Sequence, residues 1–71
     1  MKLQVGKHYW TRDRKRIVRI LNYNYDEGLY KGAYYMETDD FTTSYWDYNG
    51  IWFKDDTKFD LVEEIDPGRL A

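Results

Sequence analysis

The dipeptide Asn49-Gly50, which lies between two aromatic stretches, constrains the fold of this chain more than any other feature of its sequence. A two-residue type I′ turn needs positive φ at both central positions, and Asn and Gly adopt it most readily. The segment 45–53 is therefore predicted to form a β-hairpin. The cross-strand pairs that this turn predicts are Tyr48 with Ile51, Asp47 with Trp52, and Trp46 with Phe53.

Because side chains alternate between the two faces of a strand, this pairing also predicts which residues enter the core. The predicted core face carries Trp46, Tyr48, Ile51 and Phe53. Trp52 is then expected on the outer face, beside charged residues.

A second hairpin is predicted from 16–25 and 29–37, joined by the three-residue loop Asp26-Glu27-Gly28. A loop of this length with a final glycine suits a type I turn followed by a left-handed residue. One face is predicted to carry Val18, Ile20, Tyr30, Tyr34 and Met36. The other is predicted to carry Ile17, Leu21, Tyr23, Leu29, Ala33 and Tyr35, beside Arg19 and Lys31.

The remaining segments predict further short strands. Residues 5–10 resemble an opening turn and strand, and 59–65 resemble a final strand that ends at Asp66-Pro67-Gly68. Five or six short strands at close spacing, separated by glycine-containing turns, favour a small, partly open antiparallel β-barrel. We expect one domain over residues 1–66 and a short C-terminal tail over 67–71.

Length and composition limit how such a domain is stabilised. A chain of 71 residues without cysteine has no disulfide, so its stability depends on dense packing of large apolar side chains. Eight tyrosines, three tryptophans and three phenylalanines fit that requirement. The basic residues of the first 20 positions leave no apolar run of signal-peptide length, and we expect a cytoplasmic protein that does not span a membrane.

Charge is divided unevenly along the chain. Residues 1–31 contain eight basic and three acidic residues, whereas 32–71 contain three basic and ten acidic ones. Either oppositely charged strands lie across from each other in one sheet, or the surface has a basic and an acidic pole.

Several turn and strand signatures resemble those of one family. They are Val5-Gly6-Lys7, Tyr9, Thr11-Arg12-Asp13, Trp46 with Asn49-Gly50, and Asp60-Leu61-Val62-Glu63-Glu64. The chain is similar in these to short phage- and prophage-encoded proteins of mostly unassigned role. The resemblance implies an SH3-like β-barrel and a viral or prophage origin, and it implies no functional residues. The chain departs from the pattern at Arg14, where the family has the glycine of an Asp-Gly turn.

Nothing in the sequence indicates catalysis, a cofactor or a metal site. His8 is the single histidine and Ser44 the single serine, and neither lies in a motif that would assemble a nucleophile with a base. The acid pairs Asp39-Asp40 and Asp55-Asp56 lack the alternating spacing and the central glycine of a calcium loop. We expect a binding protein rather than an enzyme.

Three binding hypotheses follow. The first is contact with a host or viral protein, or with a second copy, because the chain has more large rings than one small barrel hides. Its predicted contact residues are Trp10, Tyr23, Tyr35 and Trp52. The second is binding of single-stranded nucleic acid by a basic cluster among aromatic residues. That cluster consists of Arg12, Arg14, Lys15, Arg16 and Arg19. The third is an acidic surface that mimics the spacing of phosphates and inhibits a nucleic-acid-binding protein. The acids in question are Asp39, Asp40, Asp47, Asp55, Asp56, Glu63 and Glu64.

Overall fold

The computed structural model describes residues 2–35, 40–54 and 56–66. Within these ranges the fold is all-β, with five antiparallel strands in one open sheet and a short 3-10 helix before the last strand. The strands are β1 (His8–Thr11), β2 (Ile17–Asn24), β3 (Leu29–Tyr35), β4 (Phe41–Trp46) and β5 (Leu61–Ile65), and the 3-10 helix is Thr57–Phe59. The order across the sheet is β4-β3-β2-β1-β5, so the last strand pairs with the first. In the described part of the chain, no helix is long and apolar enough to cross a bilayer.

The core lies on one face of the sheet and is dominated by aromatic and branched side chains. Its fully buried members are Leu3, Tyr9, Val18, Ile20, Trp46 and Leu61, with Tyr30, Tyr34 and Trp52 packed against them. Burial of a large apolar side chain stabilises a fold by roughly 1.5–3 kcal/mol. Gly32 allows β3 to lie directly on Trp46, because a Cβ there would be 2.8 Å from the ring carbon Cζ3 of Trp46 and 2.5 Å from Cγ1 of Val18.

The loop between β1 and β2 is held by Asp13. Its carboxylate accepts hydrogen bonds from Thr11 Oγ1 at 2.6 Å and from the backbone N of Lys15 at 3.0 Å. Arg14 donates its backbone N–H to the carbonyl of Thr11 and has φ of 62°. The position where the resembling family has glycine thus adopts the left-handed conformation that glycine favours.

The β2–β3 hairpin differs from its prediction in register. Its loop has four residues, 25–28, because Asn24 pairs with Leu29, and a bulge interrupts the pairing between Ile20 and Asn22. The prediction that Val18, Ile20, Tyr30 and Tyr34 share a face is confirmed, and Met36 lies outside the described residues. The prediction that Tyr23 lies on the opposite face is wrong. The bulge shifts the alternation by one residue, so Tyr23 pairs with Tyr30 and their ring centroids are 4.7 Å apart.

The hairpin at 45–53 forms, but its turn is one residue longer than predicted. The N–H of Gly50 bonds to the carbonyl of Asp47, the N–H of Asp47 bonds to the carbonyl of Ile51, and Gly50 alone has positive φ in this turn. Such a loop is a type I turn followed by a left-handed glycine, and it moves the register by one.

Trp46 therefore pairs with Trp52, and all three predicted pairs are wrong: Trp46–Phe53, Asp47–Trp52 and Tyr48–Ile51. Of the predicted core face, Trp46 is buried, whereas the other three members, Tyr48, Ile51 and Phe53, are exposed. Trp52 is not on the outer face. It packs half-buried against the core, donates its ring N–H to Ser44 Oγ at 2.8 Å, and contacts the ring of Phe59.

Candidate interaction surface

The face of the sheet opposite the core carries a shallow groove of about 340 Å³. We call it the outer groove. It is lined by His8, Ile17, Arg19, Leu21, Ala33, Tyr34, Tyr35 and Phe41. Strand alternation explains most of this set, since the inward positions of β2 are Val18 and Ile20 and the positions between and beside them point outward. The pairings His8–Arg19 and Arg19–Ala33 align β1, β2 and β3 across the groove.

Large rings at one end of the outer groove are open to solvent. Tyr35 is 68% exposed and Phe41 is 59% exposed, although they are cross-strand partners whose ring centroids lie 5.6 Å apart in an edge-to-face arrangement. Ile17 and Leu21 are also exposed, while Ala33 between them is buried. Large exposed apolar patches on small proteins are typical of contact sites, so this surface is the candidate interaction site.

Arg19 is the residue that gives the outer groove its charge. Among the residues that the structure describes, no acid lines the groove, and Arg19 forms no ion pair with any of them. An apolar floor beside an unpaired guanidinium matches a ligand that presents apolar groups next to a carboxylate.

Three of the five residues of the predicted basic cluster have carboxylate partners. Arg14 is paired with Glu63, and Arg12 lies 4.0 Å from Asp60. Arg16 lies 3.9 Å from Asp13, and its guanidinium packs over the rings of Tyr34 and Phe59, at 5.7 and 5.0 Å from their centroids. Lys15 is exposed in the β1–β2 loop, and Arg19 lines the outer groove. Much of the charge proposed to meet phosphate is therefore already matched within the fold.

Four of the seven acids of the predicted acidic surface also have partners within the fold. Glu63 pairs with Arg14, and Glu64 lies 3.4 Å from Lys7. Asp47 accepts backbone hydrogen bonds from Asn49 and Ile51, and Asp56 caps the 3-10 helix. Asp40 is exposed, and Asp39 and Asp55 lie outside the described residues. Asp47 and Asp56 thus have local structural roles that the sequence had not indicated.

The four predicted protein-contact residues do not form one surface. Tyr35 lines the outer groove, and Trp10 is half-buried on β1 opposite Ile17, which also lines it. Tyr23 belongs to a separate row of tyrosine rings, and Trp52 packs against the core. The sequence had placed Ile17, Leu21, Ala33, Arg19 and Tyr35 together on one face, which the structure confirms. It missed Phe41, whose position follows only from its pairing with Tyr35 across the β3–β4 connection.

The row of tyrosine rings lies along the loop end of the β2–β3 hairpin. It runs from Tyr25 through Tyr23 and Tyr30 to Tyr48, with neighbouring centroids 4.8, 4.7 and 6.3 Å apart. Burial raises the pKa of Tyr30, and the neighbouring tyrosines raise it further. These rings mainly support one another.

The described residues contain no assembled metal site. Among residues 2–35, 40–54 and 56–66, no group of three or more His, Cys, Asp or Glu side chains is arranged to hold a metal ion. The remaining pKa shifts belong to structural groups. Burial raises the pKa of Tyr9, although the hydrogen bond from the backbone of Gln4 opposes the change. Burial also acts to raise the pKa of Asp13, but its hydrogen bonds from Thr11 and Lys15 and the nearby Arg16 and Lys15 charges lower it overall.

Comparison of the chain with protein-family models, curated proteins and solved structures gives no match in any of the three.

Proposed function

We propose that this chain is a non-enzymatic binding protein that contacts another protein through the outer groove. The observation that carries the proposal is the solvent-exposed ring pair of Tyr35 and Phe41 at the end of a groove whose floor is apolar. Exposed aromatic residues contribute most to protein interfaces, because they bury a large area at a small cost in conformational entropy.

The charge of the outer groove specifies the partner's chemistry. Arg19 has no acidic partner among the described residues, whereas Arg12, Arg14 and Arg16 each have one. The expected partner is a protein surface that presents apolar side chains next to a carboxylate. Nucleic acid fits this surface less well, because its backbone needs several unpaired cations and the groove supplies one guanidinium.

We further propose that the open sheet is an SH3-like β-barrel and that the protein is a phage-type accessory protein acting in the host cytoplasm. Two features support the fold assignment: β5 pairs with β1, and a 3-10 helix immediately precedes β5. Contacts between the two ends of the sheet support it as well, since Leu61 N bonds to the carbonyl of Gly50 and Leu3 N bonds to that of Tyr48. The phage assignment depends on the turn and strand signatures described above.

The test compares capture of partners by matched variants. Tyr35→Ser and Phe41→Ser each remove an exposed ring from the outer groove, and Tyr25→Ser removes a ring that is 87% exposed but lies elsewhere. A protein retained by wild type and by Tyr25→Ser, but reduced at least tenfold with either groove variant, supports the proposal. Urea unfolding of each variant confirms that the fold is intact.

Two further arms identify the chemistry of the partner. Arg19→Glu is expected to capture less of the partner than wild type does, because the change replaces an attraction to a carboxylate with a repulsion. This difference from wild type is expected to become smaller at high salt. Nuclease treatment is expected to leave capture unchanged. Equal capture by both groove variants and wild type, or capture that nuclease abolishes, would overturn the proposal.

A further inference from the structure

The outer edge of β4 is paired with described residues at one end only. The carbonyl of Tyr45 accepts a hydrogen bond from the N–H of Phe53 at 3.1 Å, so the backbone groups of Tyr45 point away from β3. Backbone groups of successive strand residues point in opposite directions. Thr43 and Phe41 therefore also direct their N–H and C=O groups away from β3, and no backbone group of a described residue bonds to them on that side.

The described residues cover this edge only at its Tyr45–Trp46 end. Residues 51–53 pair with β4 at Trp46 and Tyr45 and go no further along it. The uncovered stretch is Phe41–Ser44, which contains no charged residue and no proline. Lysine and proline are the usual means by which an edge strand is protected from pairing with another chain. Within the described residues, this stretch is unprotected.

The open edge adjoins the outer groove. Phe41 belongs to both, because its backbone lies on the edge and its ring contacts Tyr35 in the groove. A segment added beside Phe41–Ser44 would place every second side chain on the groove face, next to these two rings. Evenly spaced donors and acceptors along an edge match an extended polypeptide, and they match neither nucleic acid nor a small ligand.

We propose that the partner protein binds by adding an extended segment to the edge Phe41–Ser44 of β4, with alternate apolar side chains packed on Tyr35 and Phe41. The added segment lies beside β4 in the same position as residues 51–53, and it pairs with the part of the strand that those residues do not reach. Hydrogen bonds to the backbone of Phe41 and Thr43 fix the register of the added segment. The rings of Tyr35 and Phe41 give the site its preference for apolar side chains. This inference rests on the proposed function, because it names the form in which the partner meets the same surface.

The test uses linear peptides selected against the folded protein from a random display library. A selected peptide is synthesised with a single backbone N-methyl group at each position in turn. N-methylation at alternate positions is expected to weaken binding at least tenfold, with little change at the positions between. Uniform tolerance of N-methylation, or failure of the library to yield any binder, would overturn the proposal.

Amide hydrogen exchange provides a readout on the protein itself. In the free protein, the amides of Phe41 and Thr43 are expected to exchange quickly, and those of Thr42 and Ser44, which face β3, slowly. Saturating peptide is expected to slow exchange at Phe41 and Thr43 at least tenfold. Unchanged exchange at both sites in the complex would contradict strand addition.

A pair of variants separates this inference from the proposed function. Thr43→Pro removes an outward N–H, and Thr43→Ala keeps it while removing the same side chain. Strand addition predicts at least a tenfold loss with Thr43→Pro and little loss with Thr43→Ala. If Tyr35→Ser and Phe41→Ser abolish peptide binding but Thr43→Pro and N-methylation do not, the groove is the site and strand addition is wrong. If none of these changes affects binding, both proposals fail.

Discussion

Replacement of Gly32 by alanine tests whether the core is as tightly packed as its geometry indicates. The added Cβ would lie 2.5 Å from Cγ1 of Val18 and 2.8 Å from Cζ3 of Trp46, both closer than ordinary van der Waals contact. Val18 and Trp46 are fully buried, so neither has an open direction in which to move. Overpacking of this kind costs about 1–3 kcal/mol, and removal of a glycine from a strand returns about 0.5–1 kcal/mol. We expect a net destabilisation of about 1–2 kcal/mol.

The assay is urea unfolding followed by tryptophan fluorescence, supported by thermal melts. For a chain of this length, about 1 kcal/mol corresponds to a shift of roughly 4–8 °C in Tm. A double-mutant cycle with Val18→Ala gives the sharper result. Val18→Ala alone costs about 2 kcal/mol. It also removes the methyl group that the Cβ added at position 32 would meet. The loss of unfolding free energy in the double variant should therefore be smaller than the sum of the two single losses by about 1 kcal/mol. An exposed control on the neighbouring strand, Thr43→Ala, should change stability by less than about 0.5 kcal/mol. Strict additivity, or a Gly32→Ala protein as stable as wild type, would refute the packing argument.

Three further outcomes are expected from the same unfolding assay. Arg14→Gly should be more stable than Arg14→Ala by about 1 kcal/mol, because both lose the ion pair with Glu63 and only glycine relieves the left-handed backbone; equal stabilities would contradict this. Because the fold lowers the pKa of Asp13, the ionised carboxylate adds stability at pH values above 3.8, the ordinary pKa of the group, and this contribution is lost as the pH falls below 3.8. Asp13→Asn should therefore flatten the dependence of unfolding free energy on pH between about pH 5 and 2. Trp52→Ala should cost about 2–3 kcal/mol through lost core packing and an unpaired Ser44, and a variant as stable as wild type would show that the ring does not support the core.

Strand alternation was sufficient to predict most of the outer groove. Val18 and Ile20 point inward because they are the apolar positions that one period-2 face can bury, and Ile17, Arg19 and Leu21 must then point outward. The prediction failed immediately after Leu21, at the bulge. Because both faces of the segment 17–21 carry apolar residues, the hydrophobic pattern gives no indication of where an extra residue enters. The position of Tyr23 therefore could not be obtained from the pattern.

The turn at Asn49-Gly50 differs from its prediction because the side chain of Asp47 takes part in it. Asp47 accepts hydrogen bonds from the backbone N of Asn49 and of Ile51, both about 3 Å long, and these bonds favour a type I turn that begins at Asp47. Asp at the first position and Gly at the fourth is the signature of that turn, and it was present in the sequence. The one-residue difference places Trp52 against the core and leaves Phe53 outside beside Tyr45. The exposure of rings was thus foreseen in general, whereas the identity of the exposed rings depended on register.

The uneven charge along the chain becomes local pairing once the strand order is known. Because β5 pairs with β1, the acidic end of the sequence lies beside its basic beginning, and Lys7, Arg12 and Arg14 meet Glu64, Asp60 and Glu63. These surface pairs contribute little stability individually, but they reduce the field that a phosphate backbone would experience. Arg19 lies on β2, away from these β1–β5 pairs, and on the face that carries the exposed rings. The strand order that brings Arg12 and Arg14 to acidic partners therefore leaves Arg19 in the outer groove, where its charge is available to the proposed protein partner.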